Sequence, residues 1–527
     1  MRAAALLIIV VAHVVSGVFM AWVMTSEDYE AEYLVLGSLA TQGKLGLYQD
    51  EVTGQWAPLP FYVYGATQVL AGPRLFLPRL LSVVFGAVAV ILAFAVARRW
   101  GGDAAGAAAA ALCVANGLVS GYFALVGFAS LAAVVHLAGI WLLFCTEWRH
   151  RDLAAMMIFS LLFLVKPNYW PSVPFALAYL MWRAPSWRRR AGLVAIAVAL
   201  PVVFFAADPT HLKLLAYVPV LHRLVEPLGY HAWFSLLEDA AEFGSRSEYF
   251  DASWGTTTSG RLAQLGRSLV FFGKRYALWL MLFAMLAAWA LRQRAARARS
   301  PGLAFVAALF WYSVACQFVV LGPWSKQAVG YAGAVAPLLA VVIAVLLAKV
   351  VASPAEPTWR RRAVIATFVT VILASPWVHR HHNLPRRSVL PDATIPELSR
   401  TADQLAARIP AGEDRVFCLA DPLPLYLAGR RAYVRQMHQH RWMFTSLADT
   451  DRYRRSGLWG RAELEQWLGA DARYAVVETE VVDYYRRRAP FRPLIARMMA
   501  LLSDRFTIVG RFERQPGDWI TVYRRRA

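Results

Sequence analysis

The chain has 527 residues, of which 58% are hydrophobic and only 17% charged, with a mean hydropathy of +0.43. Soluble domains carry roughly 25% charged residues and disordered chains are poor in apolar ones, so this composition excludes both and points to a membrane protein. The net charge of +21 does not read as nucleic-acid binding, because the basic clusters sit beside apolar runs, where cytoplasmic loops collect Lys and Arg.

Apolar runs at 3–24, 78–98, 104–120, 122–145, 153–166, 171–184, 192–207, 272–291, 302–321, 331–351 and 363–379 predict about eleven spanning helices. A span needs about 20 residues, and 153–166 and 171–184 are the shortest of the set. The first run is long for the core of a signal peptide and has no convincing cleavage site before Ser26, so it reads as an uncleaved helix. Five links are basic: Arg98-Arg99, Arg149-His150-Arg151, Arg188-Arg189-Arg190, Arg292 to Arg299, and Arg360-Arg361-Arg362. With the N-terminus inside, all five fall on the cytoplasmic side. Residues 25–77, residues 208–271 and everything after 380 then lie outside.

Long outer loops are ordinarily functional or disordered, and the aromatic content of these two predicts helices lying at the membrane surface. After about residue 383 the spans stop. Helix-like segments (Ile395–Ile409, Arg461–Leu468, Phe491–Leu502) alternate with strand-like ones (Arg415–Leu419, Tyr474–Glu478, Phe506–Phe512, Trp519–Tyr523), and Gln515-Pro516-Gly517-Asp518 reads as a turn. The expected organisation is a transmembrane domain over 1–382 and an extracytoplasmic α/β domain over 383–527. The arginine clusters of the second domain read as a solvated surface or as contacts to anionic headgroups or an acidic glycan. Cys113, Cys145 and Cys316 fall in apolar segments and Cys418 in a polar one, with no disulfide or metal-ligand spacing.

The first outer loop opens Ser26-Glu27-Asp28-Tyr29-Glu30-Ala31-Glu32-Tyr33. On a helix, Glu27 and Glu30 share a face, as do Asp28 and Glu32. One reading is a capped helix start, with Ser26 as cap and acids in the first turn. The other is a general base, since a carboxylate beside a low-dielectric boundary is a better proton acceptor. Gln55-Trp56-Ala57-Pro58-Leu59-Pro60-Phe61-Tyr62 follows, with Arg79 at the head of the second span. Lys166-Pro167 ends the fifth span, and Lys326 sits five residues before Tyr331. An outer-edge lysine either snorkels or binds a lipid phosphate as a point charge. His379, His381 and His382, and the pair His438 and His440, have no spaced partners for a metal site and read as interfacial or surface residues.

Four local patterns together resemble the GT-C superfamily of integral membrane glycosyltransferases, in particular bacterial relatives of protein O-mannosyltransferases and lipid A aminoarabinose transferases. They are Glu30-Ala31-Glu32-Tyr33 with Gly43 and Tyr48 downstream, Ala57-Pro58-Leu59-Pro60-Phe61-Tyr62 with Arg79, Leu164-Val165-Lys166-Pro167, and Lys326 with Tyr331 and Pro337. The resemblance implies an α-helical polytopic membrane protein with a C-terminal extracytoplasmic α/β domain, in a bacterial inner membrane. It implies a polyprenyl-phosphate-linked sugar as donor, and a lipid, glycan or protein as acceptor. Asp28 is the preferred base, with Glu27 and Glu30 beside it. Lys326, Arg79 and Lys166 would meet the leaving phosphate, and Tyr62, Tyr331 and Tyr33 would line the substrate. No cofactor is expected. One departure stands out: relatives often carry a second acid at the outer start of the fourth span, where this chain has Gly121-Tyr122-Phe123-Ala124-Leu125-Val126-Gly127-Phe128. That gap argues against a two-carboxylate metal site. It also supports an alternative, a non-catalytic GT-C-like protein that binds lipid-linked sugars or scaffolds an envelope complex. A transporter is disfavoured, because the spans are nearly free of acids and show no repeat.

Overall fold

The computed structural model describes residues 2–26, 28–49, 51–52, 54–218, 221–231, 258–292, 300–319, 325–354, 356–381, 384, 394–437, 444–446, 448 and 450–526. The chain forms two compact units. One comprises Met1–Ala21, Arg79–Ala207 and Ser253–Leu384, the other Trp22–Pro78, Asp208–Ala252 and Pro385–Ala527.

The first unit is helical. Among the described residues six helices are long and apolar enough to cross a membrane: Ala4–Val23, Phe76–Ala115, Trp187–Ala207, Pro301–Phe318, Ala332–Ala352 and Thr358–Val378. The pair Leu265–Arg275 and Ala277–Arg292, bent by 86°, makes up to seven, and Ala129–Cys145 is apolar but shorter. The protein is thus a multi-pass membrane protein; among the described residues fewer helices reach full span length than there are apolar runs. One cause is visible, and one of the six helices is itself two segments. The stretch from Arg151 is broken into Arg151–Ser160, Leu162–Val165 and Ser172–Arg183, each well short of a span. Helix α4 (Phe76–Ala115) is interrupted at Gly102, at φ 73° and ψ −173°. A Cβ on Gly106 would lie 2.9 Å from the Phe94 carbonyl oxygen. In a straight helix twelve residues would separate those positions by about 18 Å, so the chain doubles back at Gly102.

The centre of this unit is the helix Ser325–Ala352, buried without interruption from Ala332 to Val345. Helix α1 (Arg2–Val23) and the helices Trp187–Ala207 and Thr358–Val378 are apolar yet mostly exposed, as lipid-facing helices are. Some polar groups inside the bundle serve one another, since no water is there to do so. His136 contacts the Ala132 carbonyl through Nδ1 at 2.7 Å and Ser172 Oγ through Nε2 at 3.0 Å, and Ser172 meets Ser313 at 3.1 Å. That chain ties three helices together.

The second unit holds a four-stranded sheet. Strands β1 (Val416–Leu419), β2 (Tyr474–Glu478), β3 (Phe506–Gln515) and β4 (Asp518–Arg525) are ordered β1-β2-β4-β3. β1 and β2 are parallel, with Val416 opposite Tyr474. β4 runs antiparallel to both neighbours, pairing Ile520 with Glu478 and with Phe512. Every residue of β1 and β2 is buried, as expected of strands covered on both faces. The turn into β4 needs Gly517, whose φ is +84°. The helices Ile395–Ala406, Thr479–Arg486 and Arg492–Arg505 belong to this α/β layer, around a core containing Phe417, Trp459, Leu468 and Tyr485.

The arginines here are not all a solvated surface. Arg525 donates to the carbonyls of Ala472 and Leu468 at 2.7 and 3.0 Å. Arg430 does the same for Ile409 and Ala406 at 2.8 and 3.0 Å. Both satisfy the orphan carbonyls of helix ends. All four cysteines are free, and only Cys145 is not fully buried.

Candidate functional site

In the second unit, the segment after the first apolar helix forms two helices, α2 (Asp28–Thr41) and α3 (Pro58–Ala71). Pro58 and Pro60 start α3, where a missing N–H costs nothing. The two helices cross at Gly37 and Gly65, where a Cβ on either would meet the other's backbone or its neighbour's at 2.2–2.3 Å. This close approach brings α2's acids against the turn that precedes α3.

Glu30, Glu32 and Tyr33 are all fully buried. The Glu32 carboxylate accepts from the indole N–H of Trp56, and the Gln55 amide reaches its two oxygens at 3.3 and 3.4 Å. The Tyr33 ring sits among aromatics, 4.9 Å from Phe61, 6.0 Å from Tyr29, 6.1 Å from Trp56 and 6.3 Å from Tyr64. One carboxylate, Glu32, is therefore held against an aromatic wall just after the first apolar helix, with Glu30 buried two residues before it. Asp28 is the first residue of α2. Tyr62 on α3 is 47% exposed. Glu27 lies outside the described residues.

The second long loop supports this wall. Rather than a regular surface helix, its described part begins with the 3-10 helix Pro209–Tyr217. Lys213, fully buried, donates from Nζ to the carbonyls of Gln49, at 3.1 Å, and Val52. Tyr48 donates to the Trp56 carbonyl at 2.9 Å, and its ring lies 5.0 Å from His211. Glu32, Gln55, Trp56 and Lys213 were not among the expected site residues. The only sequence signal for them was the Ala-Glu-Tyr pattern and the tryptophan before Ala57-Pro58, because the contacts of Glu32 and Lys213 join residues 23 and more apart.

The first unit carries the expected cations. Arg79 is fully buried, and its Nη1 donates to the Ala21 carbonyl at 2.9 Å. Lys166 is also buried, so it does not snorkel. Its ammonium lies 3.9 Å from the centre of the Phe128 ring, a cation–π distance. Lys326 and Tyr331 lie on the helix Ser325–Ala352, their side chains outside the described residues. The histidines after the last span depart from the surface reading. His379 and His381 are fully buried, and the His381 ring lies 4.4 Å from that of Tyr122. Gly121 makes room, since a Cβ there would meet His381 at 2.6 Å. His382, His438 and His440 lie outside the described residues.

A further set of carboxylates lies at the sheet. Glu478, Glu480 and Asp518 offer oxygens within 4.8 Å of one another. The Arg514 guanidinium bridges Glu478 at 2.8 Å and Asp421 at 3.2 Å. Burial, then the Glu478 carboxylate, push the Asp518 carboxyl up to about 7. With a guanidinium already among these acids, the set reads as a structural ion cluster.

No family model and no curated protein matches the chain. Solved structures do. ArnT from Cupriavidus metallidurans bound to undecaprenyl phosphate matches at a TM-score of 0.58 and 14% identity, over 99% of this chain and 97% of that one. The chain shares the fold of this ArnT. The apo state of the same ArnT matches at 0.54, also at 14% identity, over 99% of this chain and 98% of that one. An oligosaccharyltransferase from Archaeoglobus fulgidus gives 0.49 at 12% identity, covering 93% of this chain and 70% of that one. Against the GT-C pattern, the stretch without an acid is apolar packing in this chain. Asn116 caps the short helix Gly117–Tyr122 by accepting from the Leu118 and Val119 amides, and residues 123–130 are all buried.

Proposed function

We propose that the chain is a membrane glycosyltransferase that moves a sugar from a polyprenyl-phosphate donor to an extracytoplasmic acceptor. The observation that carries this reading is the buried acidic and aromatic wall directly after the first apolar helix, in a chain that takes the fold of ArnT from end to end. A sugar on a polyprenyl phosphate sits at the water–lipid boundary with its tail in the bilayer, and a base for its transfer belongs there. The placement assumed is a bacterial inner membrane with the N-terminus cytoplasmic and the sheet domain outside.

The chemistry asked of the residues is an inverting displacement. Asp28 takes the proton from an acceptor O–H or N–H. The acceptor atom bonds the anomeric carbon as the bond from that carbon to the phosphate oxygen breaks, and polyprenyl phosphate leaves. The negative charge developing on the phosphate needs preorganised cations, and this role falls to Lys326, Arg79 and Lys166. Glu30 and Glu32, buried on the same helix, position the loop, with Tyr33 as part of the wall. Tyr62 and Tyr331 are assigned to substrate binding.

The test is donor turnover. Purified protein in liposomes is given a panel of polyprenyl-phosphate sugars with envelope extract as acceptor source, and free polyprenyl phosphate is read by mass spectrometry. Release by the wild type and its loss in Asp28→Asn are expected. Loss in Glu30→Gln but not in Asp28→Asn moves the base to Glu30. No release from any donor overturns the reading in favour of a non-catalytic lipid-sugar-binding protein, which the acid-free stretch 121–128 would then explain.

A further inference from the structure

The second unit contains a cavity of about 350 Å³ that the proposed reaction does not use. Small-molecule sites run from roughly 300 to 1,000 Å³, so it has room for one or two sugar rings. Its walls come from two parts of the chain. The segment that follows α2 gives Lys44, Gln49 and Glu51, and the loop after β1 gives Arg431, Tyr433 and Arg435, with Asp414 and Trp467 completing the lining.

Two features define its chemistry. The first is an aromatic plate: the Tyr433 and Trp467 rings are stacked 4.5 Å apart with 8° between their planes. Trp467 belongs to the hydrophobic core and Tyr433 packs on it, so the plate is fixed. The second is a mixed set of donors and acceptors with cations in excess. Arg431 is 3.5 Å from Asp414. Arg435 lies 3.5 Å from Glu463, but that carboxylate is shared with Arg454. Burial disfavours the charge of Arg435. With Glu51, which also lines the cavity, four cations (Lys44, Arg431, Arg435 and Arg454) stand against three carboxylates (Glu51, Asp414 and Glu463), a surplus of one.

We propose that this cavity binds the acceptor through a saccharide that carries an anionic substituent, a carboxylate or a phosphate. Aromatic planes suit the apolar faces of pyranose rings, alternating donors and acceptors suit hydroxyls, and the surplus cation suits the anion. Position agrees with chemistry. Leu39 on α2 lines the cavity, eleven residues after Asp28, or about 16 Å along the helix axis. An acceptor of several sugar units seated here spans the distance to the proposed base. The inference rests on the transferase reading, and it names the acceptor class that reading leaves open.

The test is saturation-transfer NMR on the detergent-solubilised full chain with glucose, glucuronate, glucose 6-phosphate and inorganic phosphate as separate probes. Transfer to the ring protons of glucuronate or glucose 6-phosphate, well above glucose, is expected, and the stronger of the two names the anion. Lys44→Ala and Arg431→Gln, both changes at solvent-accessible side chains, are each expected to weaken binding about tenfold. Equal binding of inorganic phosphate and glucose 6-phosphate overturns the proposal, leaving an anion site with no saccharide selectivity. So does the absence of any sugar transfer, or wild-type binding by both variants. A chain that releases polyprenyl phosphate but binds none of these sugars loses this inference and keeps the transferase. One that binds them but releases nothing keeps the site and loses the transferase.

Discussion

The crossing of α2 and α3 offers the sharpest mechanical test of the site. An alanine at Gly37 would place its Cβ 2.3 Å from the Phe61 carbonyl oxygen and 3.2 Å from the Gly65 Cα, where ordinary contact begins at 3.4 Å. The obstructing atoms are backbone and cannot rotate away, so the helices must part by about 1 Å. Overpacking of this kind costs about 1–3 kcal/mol, and a clash with backbone belongs at the upper end. For a unit of this size that corresponds to an apparent melting temperature lower by roughly 6 °C or more. The same displacement shifts the turn holding Trp56 and Gln55 relative to Glu32. A misplacement of about 1 Å in a reacting site costs on the order of 100-fold in rate. Gly37→Ala is therefore expected to melt earlier by tryptophan fluorescence and to lose most of its donor turnover. Gly65→Ala should do the same, and the double variant should cost less than the two singles together, because both remove one contact. Gly37→Ala with wild-type melting and full turnover would refute the reasoning.

Other consequences can be measured directly. Trp56→Phe keeps an aromatic ring but removes the N–H that Glu32 accepts; loss of a hydrogen bond to a charged group costs about 1.5–3 kcal/mol of stability, so both the melting temperature and donor turnover should fall. Lys213→Met leaves the Gln49 and Val52 carbonyls without their donor and should expose the segment between α2 and α3 to limited proteolysis, with a loss of about 2–4 kcal/mol in stability. Asp518, raised from 3.8 to about 7 by burial and Glu478, holds a proton in the folded state that the unfolded chain has released between those values. Stability from this group is therefore greatest at the acid end and falls as pH rises towards 7. Asp518→Asn removes that fall, so its melting temperature should exceed the wild type's at pH 8 and match it near pH 4.

The sheet domain was the most legible part of the sequence. The strands at 416–419 and 474–478 are short apolar runs, and the last two are joined by a Pro-Gly turn, so local signals sufficed. The spans were legible as apolar runs but not as lengths, because the break after Ser160 and the reversal at Gly102 depend on packing more than on hydropathy. The candidate site was half legible. Local spacing on α2 singled out Asp28, Glu30 and the tyrosine beside Glu32, but nothing local says that Trp56 will serve Glu32 or that Lys213 will pin residues 49–52. The same limit explains the histidines. His381 beside a span reads as interfacial until Gly121, 260 residues earlier, is seen to make space for it. Burial of this sort belongs to the pair, and neither segment announces it alone.

The order of the strands bears on how the protein is made. The acidic loop belongs to a compact unit whose pieces are Trp22–Pro78, Asp208–Ala252 and Pro385–Ala527. Within that unit the last strand to leave the ribosome, β4, lies in the middle of the sheet, between β2 and β3. A nascent chain that has not reached residue 518 has no strand to join β2 to β3, and the unit that contains the acids is incomplete. Membrane insertion of the early helices can run its course well before this final insertion. The sheet of the unit that carries the proposed chemistry therefore closes only once β4 is made, and a chain cut short before residue 518 would lack the strand that joins β2 to β3.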